Sequence, residues 1–116
     1  MAESLPLSLC IITRDAAHDL PACLESAAFA GDAVVVDSGS RDDTVDVARR
    51  MGARVIEHAF EGFGAQKQFA VAAAQLDWVL CLDAYERVAP ELAQQIAQVL
   101  AHENPVGSAF SVAHRN

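Results

Sequence analysis

Three apolar runs of the sequence end in residues that could do chemistry. AVVVD ends at Asp37, WVLCL is followed by Asp83, and LSLCIIT ends at Thr13 and is followed by Arg14 and Asp15. Carboxylates accept hydrogen bonds from hydroxyls and base edges, and they bind hard divalent cations that in turn take up phosphates. A nucleotide that carries a sugar offers all of these groups at once.

An ordinary structural role is the alternative for each of these residues. Asp and Ser after a strand are common in loops and at helix N-caps, and for any single position that interpretation is the better one. Ligands of open parallel sheets bind beyond the carboxyl ends of the strands, near the point where the strand order reverses. For the three strand ends taken together, we therefore favour a site.

The sequence argues against several other kinds of site. No Ser-His-Asp or Cys-His order suggests a nucleophile, and Gly62 and Gly64 do not form a dinucleotide or P-loop motif. A net charge of −8 disfavours nucleic-acid binding and adhesion to anionic lipid. An anionic ligand would need a local cation, a helix N-terminus or a bound metal.

The cysteines and the N-terminus indicate the compartment. Cys10, Cys23 and Cys81 are an odd set without CxxC spacing, so buried free thiols in a reducing compartment are expected. The N-terminus lacks a basic n-region, and its apolar run is too short for a membrane-spanning helix. We expect a soluble, cytoplasmic protein.

The elements that would position the candidate residues alternate between strands and helices. The predicted strands are Leu7–Thr13, Ala33–Asp37, Arg54–His58 and Trp78–Leu82, with a fifth beginning in Ala109–Val112. The predicted helices run from Leu20 to about Ala28, from a Ser40 N-cap with Asp43 in a capping box to about Met51, over Gln66–Leu76, and from Pro90 to before Asn104. Gly52 is the expected C′ residue of the second helix.

This order predicts one α/β domain over residues 1–116. Solid apolar strands alternating with amphipathic helices are typical of a mostly parallel sheet covered on both faces, a three-layer αβα architecture. In the third helix we expect Phe69, Ala72, Ala73 and Leu76 on the apolar face. In the fourth, Leu92, Ile96, Val99 and Leu100 form the apolar stripe.

A set of motifs then resembles a known family. The segments LSLCIITRD, CLES, AVVVDSGSRDDTVDVARRMGARV, EGFGAQKQFA and DWVLCLDAYERVAPEL occur in this order and cover nearly the whole chain. Together they resemble the N-terminal, donor-binding half of family 2 glycosyltransferases with the Rossmann-like GT-A fold. The bacterial β-1,4-glucosyltransferases that extend the lipopolysaccharide core are the most similar subgroup. The resemblance implies inverting transfer from a UDP-sugar to a cell-envelope glycan, helped by Mg²⁺ or Mn²⁺.

The resemblance also implies roles for single residues around the nucleotide. Thr13, Arg14 and Asp15 match the first-strand loop that lines the nucleotide pocket, where the family more often has Asn-Glu in place of Asp15-Ala16. Asp37 matches the carboxylate that takes the base or ribose. Ser38 and Ser40 flank that carboxylate, and Gln66 and Lys67 match a segment beside the nucleotide. Lys67 is a candidate phosphate partner, with a solvated surface cation as the alternative.

The implied metal site departs from the family pattern. Asp83 matches the first acid of the Asp-x-Asp motif, and Tyr85 stands where the second acid, the usual metal ligand, is expected. A neutral phenol is a poor ligand for a hard cation, so weakened metal binding is expected. Glu86 would substitute only if the backbone turned there. Tyr85 would alternatively stack on a base or sugar.

The family's catalytic base and acceptor site lie in its C-terminal half, so the resemblance implies a truncated domain. His102, Glu103 and His114 are present, but helix-end and tail positions favour the surface, and no catalytic residue is assigned. A nucleotide-sugar-binding half-domain without activity and a purely structural domain therefore stay open as alternatives. Uncovered sheet surface would favour a homo-oligomer. The missing part would support peripheral association with the cytoplasmic face of the inner membrane.

Overall fold

Five strands form one sheet in the part of the chain that the computed structural model describes, residues 4–101 and 112–114. The strands are β1 (Leu5–Thr13), β2 (Ala30–Asp37), β3 (Arg54–Glu57), β4 (Trp78–Asp83) and β5 (Val112–His114). The helices are α1 (Leu20–Ser26), α2 (Thr44–Arg50), α3 (Phe63–Ala73) and α4 (Pro90–Ala101).

The sheet has the strand order β3-β2-β1-β4-β5. Strands β1 to β4 are parallel, and β5 pairs with β4 in the antiparallel sense. The α/β class and the mostly parallel sheet are confirmed. The order reverses between β1 and β4, so the carboxyl ends of these central strands form the rim where a ligand is expected.

Two apolar clusters cover the two faces of the sheet, because successive side chains of a strand point to opposite sides. One cluster joins Leu7, Leu9 and Ile11 of β1 to α1, α2 and α4. The other joins Cys10 of β1 and Val79 of β4 to α3. The predicted three-layer arrangement is thus confirmed, as is the stripe of α4, where Ile96 and Leu100 are buried and Leu92 and Val99 half-buried.

The start of α2 differs from the prediction. The helix begins at Thr44 with Asp43 as N-cap, and the side chain of Asp43 makes no capping hydrogen bond. The predicted capping box is therefore wrong, because the Ser40 hydroxyl donates to Asp37 instead. The end of α2 agrees with the prediction: Gly52 has a φ of 90° and its amide donates to Arg49.

Helix α3 begins three residues earlier than predicted, and its predicted apolar face is confirmed for Phe69 and Ala73, which pack on the core, but wrong for the other two residues. Ala72 is exposed and Leu76 lies beyond the helix, whereas Gln66 and Ala70 are the buried residues. Gln66 is tolerated there because its amide is paired with His58 on both sides.

Of the predicted fifth strand, only Val112 lies within the described residues, where β5 covers Val112–His114. His102 and Glu103 lie outside them, and so does the side chain of His114. Among residues 4–101 and 112–114, no helix is both long and apolar enough to cross a membrane.

Candidate functional site

A cavity of about 460 Å³ opens beyond the carboxyl ends of β1 and β4. This volume falls within the roughly 300–1,000 Å³ typical of small-molecule sites. The cavity walls include most of the residues singled out in the sequence: Thr13, Arg14, Asp15, Ser38, Gln66, Asp83 and Tyr85. Asp37 and Lys67 are not among the lining residues.

The strand register explains why these residues meet. Thr13 at the end of β1 is paired with Asp37 at the end of β2, and Ile12 is paired with Asp83 at the end of β4. The two aspartates therefore flank the same central strand at the same edge of the sheet. Three sequence segments that are far apart along the chain thus reach one rim.

Asp37 is buried and has all its hydrogen bonds satisfied within the chain. Its carboxylate accepts from the hydroxyls of Thr13 (2.7 Å) and Ser40 (2.6 Å) and from the amides of Gly39 (3.0 Å) and Ser40 (2.8 Å). Burial alone would raise the pKa of Asp37, but these hydrogen bonds outweigh it and lower the pKa. In this arrangement Asp37 fixes the loop after β2, and its contact with a base or ribose stays a prediction.

The loops after β1 and β2 are joined through Asp15. Its amide donates to the Ser40 hydroxyl at 2.7 Å, and its carboxylate accepts from the Arg41 amide at 2.7 Å. Asp15 has a φ of 51°, a conformation that Asp adopts more readily than most residues. These contacts hold the loop after β1 in a turn that lines the cavity with Arg14 and Asp15.

Asp83, Tyr85 and Glu86 form a tight turn at the end of β4. The Glu86 amide donates to the Asp83 carbonyl at 2.9 Å, and the Glu86 carboxylate accepts from the Asp83 amide at 2.7 Å. The Tyr85 hydroxyl donates to Oδ2 of Asp83 at 3.1 Å. This hydrogen bond raises the pKa of Tyr85, so the phenol is neutral at neutral pH.

The oxygen atoms of Asp83, Tyr85 and Glu86 do not fit as ligands of a divalent cation held by the protein. Mg²⁺ and Mn²⁺ prefer carboxylate and other oxygen ligands in a nearly regular shell. Asp83 is bonded by a phenol, and the Glu86 carboxylate is tied to the backbone of its own turn. Within the described ranges, no group of three or more His, Cys, Asp or Glu side chains is placed to hold a metal.

The α3 side of the site contains a buried amide and an exposed cation. The Gln66 amide donates to the His58 carbonyl at 3.1 Å, and its oxygen lies 3.0 Å from Nδ1 of His58. Lys67 is exposed, and its charge acts on β4. The pKa of Cys81 is lowered first by the neighbouring Cys10 thiol, against the effect of burial, and then by the Lys67 ammonium. The predicted phosphate contact of Lys67 stays a prediction.

Two phenylalanines of the cavity wall were not among the residues predicted from the sequence. Phe60 and Phe63 are 47% and 71% exposed, and their rings meet edge to face with centroids 5.1 Å apart. Tyr85 is 68% exposed at the same cavity. Exposed aromatic rings beside a polar cavity are suited to stacking on a base or sugar. The sequence signal that could have identified these rings was the segment FEGFG at residues 60–64, which combines glycines with aromatic residues.

Comparisons with known proteins agree on one family. The family model described as glycosyl transferase family 2 matches residues 8–116. A glycosyltransferase of Rickettsia felis is 36% identical over 99 residues, covering 84% of this chain and 35% of the relative. The lipopolysaccharide core biosynthesis glycosyltransferase LpsC of Rhizobium meliloti is 31% identical over 111 residues, covering 91% and 41%.

The fold is shared with solved structures as well. Glucosyl-3-phosphoglycerate synthase of Mycobacterium tuberculosis, crystallised with Mn²⁺, UDP and glucosyl-3-phosphoglycerate, superposes with a TM-score of 0.66 at 22% identity. The match covers 81% of this chain and 39% of that one. The chain thus spans well under half the length of these relatives, and the likeness to the solved structure bears on the fold alone.

Proposed function

The chain belongs to glycosyl transferase family 2, and from this premise we propose that its cavity binds the nucleotide of a UDP-sugar donor and presents the sugar for inverting transfer. The observation that carries the proposal is the cavity itself, placed where the strand order reverses and lined by polar strand-end residues and exposed aromatic rings. Such a lining supplies hydrogen-bond acceptors for ribose and sugar hydroxyls and a stacking surface for the base.

The acceptor we propose is a glycan of the cell envelope, such as the lipopolysaccharide core. The name of the Rhizobium meliloti relative supports this choice. We further propose that the protein works in the cytoplasm at the inner face of the inner membrane. The three free cysteines, two of them buried, are consistent with a reducing compartment.

We propose that binding of the acceptor and removal of its proton belong to the part of the relatives' length that this chain does not span. Inverting transfer needs a carboxylate near the acceptor hydroxyl to take its proton, and we assign no such base in the described residues. Peripheral membrane association is proposed for the same part, and the chain itself is proposed to self-associate. A nucleotide-sugar-binding half-domain without transfer activity is the second candidate, favoured by Tyr85 at the expected metal position.

Calorimetric titration of the chain with UDP, and with ATP as the control nucleotide, tests the donor site. We expect heat of binding with UDP and much weaker binding with ATP. Because base–aromatic stacking contributes about 1–3 kcal/mol, Phe63→Ala should weaken UDP binding at least roughly fivefold. Met51→Ala changes an exposed apolar residue that is not among those lining the cavity and should leave binding unchanged. Absence of heat at millimolar UDP would reject the proposal.

A transfer assay separates the two candidates. Release of UDP from UDP-glucose in the presence of lipopolysaccharide core acceptor indicates an active transferase. UDP binding without such release indicates a donor-binding half-domain.

A further inference from the structure

We infer that this chain takes up its UDP-sugar without a divalent cation held at Asp83, and that Tyr85 is the residue that determines this. The identity of the ligand rests on the proposed function, whereas the way its diphosphate is held departs from what the family resemblance implies. The key observation is the hydrogen bond from the Tyr85 hydroxyl to Oδ2 of Asp83 at 3.1 Å.

Tyr85 acts at this position in two ways. It supplies a neutral phenol where a second carboxylate would carry charge and lone pairs to a hard cation. Its proton also points at Oδ2, one of the two carboxylate oxygens of Asp83. A cation at Asp83 would therefore compete with this hydrogen bond for Oδ2 and would gain only one carboxylate.

Glu86 does not replace the missing acid. One oxygen of its carboxylate accepts from the Asp83 amide at 2.7 Å, so the side chain folds back onto its own turn. Arg87 strengthens that turn, because its guanidinium donates to the Tyr85 carbonyl at 2.7 Å and lies 3.7 Å from Asp19. Redirecting Glu86 into the cavity would open a turn that several hydrogen bonds hold closed.

The counter-charge for the diphosphate is then Arg14. Among the described residues that line the cavity, Arg14 is the cationic one. A guanidinium binds phosphate oxygens through two parallel hydrogen bonds, without needing a metal bridge. Three carboxylates share the lining with Arg14, those of Asp15, Asp19 and Asp83. Each has a donor within the chain that reduces its repulsion of an anion: the Arg41 amide, the Arg87 guanidinium and the Tyr85 hydroxyl, respectively.

UDP titrations in EDTA and in Mn²⁺ test the inference. For the wild-type chain we expect dissociation constants within about twofold of each other in the two buffers. Tyr85→Asp restores a second carboxylate and should bind UDP at least roughly tenfold more tightly in Mn²⁺ than in EDTA, the scale on which changes around a metal site alter affinity. Tyr85→Phe keeps the ring without adding a ligand and should show no effect of Mn²⁺. Wild-type binding that tightens tenfold with Mn²⁺ would overturn the inference.

Titration of the chain with Mn²⁺ in the absence of UDP tests the inference independently of the proposed function. If UDP fails to bind in every buffer, the proposed function fails. The Mn²⁺ titration then still decides the inference, because Tyr85→Asp should bind Mn²⁺ at least about tenfold more tightly than wild type. Equal Mn²⁺ affinities would contradict the role of Tyr85.

A pair of arginine variants tests the counter-charge. Arg14→Gln should weaken UDP binding about tenfold or more with or without Mn²⁺, as expected for loss of charged hydrogen bonds. Arg41→Gln removes an exposed cation from the neighbouring loop and should have little effect. UDP affinity unchanged in Arg14→Gln would show that Arg14 does not hold the diphosphate.

Discussion

Replacing Asp37 by Asn should destabilise the chain strongly, although the two side chains have nearly the same shape. The carboxylate accepts four hydrogen bonds from Thr13, Gly39 and Ser40, two on each oxygen. An asparagine can keep its oxygen toward the Gly39 and Ser40 amides and donate its NH₂ group to the two hydroxyls, which also accept hydrogen bonds. All four hydrogen bonds then lose their charged partner, at a site that is 1% exposed.

A hydrogen bond to a charged group contributes about 1.5–3 kcal/mol and one between neutral groups about 0.5–1.5 kcal/mol, so the weakening of four bonds should lower the free energy of unfolding by about 2–4 kcal/mol in Asp37→Asn. That is a large fraction of the roughly 5–15 kcal/mol that stabilises a typical domain. Urea denaturation followed by the fluorescence of Trp78, the single tryptophan, measures the loss. Asp43→Asn is the matched control. The side chain of Asp43 makes no capping hydrogen bond, so this substitution should lower the free energy of unfolding by less than about 1 kcal/mol.

The stabilisation by Asp37 should depend on pH. Because the pKa of Asp37 is lowered on folding, its contribution is complete above the ordinary pKa of about 3.9 and is lost as the pH falls through the folded value. The difference between wild type and Asp37→Asn should therefore shrink below about pH 4. If Asp37→Asn does not fold, Thr13→Val removes one donor of similar size and should cost about 1–2 kcal/mol. A cost for Asp37→Asn no larger than that of Asp43→Asn would refute the reasoning.

Two further predictions concern the thiols and a helix end. Cys81, whose pKa the neighbouring Cys10 thiol lowers, should be labelled by iodoacetamide at neutral pH faster than Cys23, whose pKa burial raises to about 11; equal rates by mass spectrometry would contradict this. Gly52→Ala should cost about 1–2 kcal/mol in urea denaturation because of its φ of 90°. Gly64→Ala, on α3 with open space around the added methyl, should stabilise by up to about 1 kcal/mol, and a loss as large as that of Gly52→Ala would count against the backbone argument.

The sheet could be predicted from the sequence because its central strands, β1, β2 and β4, pack against apolar clusters on both faces. Such strands are solid apolar runs, and their ends are marked by the first polar residue. The rim was predictable for the same reason, since parallel strands bring their carboxyl ends to one edge. Asp37 and Asp83 were found this way, and the register places them on either side of β1.

The errors arose where a polar side chain has a partner far away in the sequence. Ser40 has the pattern of an N-cap, but its hydroxyl bonds to Asp37, and its oxygen accepts from the Asp15 amide of another loop. Gln66 is polar yet buried, because His58 at the end of β3 satisfies its amide. Local patterns do not contain these pairings, which depend on how the strands are aligned.

The different surroundings of Asp37 and Asp83 follow from the alternation of side chains along a strand. Val35 belongs to the cluster on the α1, α2 and α4 side, so Asp37, two residues later, also points to that side and is enclosed by the loop before α2. Cys81 packs on the α3 side, so Asp83 points there, beside the cavity lined by Gln66 and the aromatic residues. The face of the sheet to which each strand-end aspartate points thus decides that Asp37 is enclosed and that Asp83 lies beside the cavity. The turn that follows β4 brings the Tyr85 hydroxyl to the Asp83 carboxylate, and the proposed uptake of UDP without a metal rests on this contact.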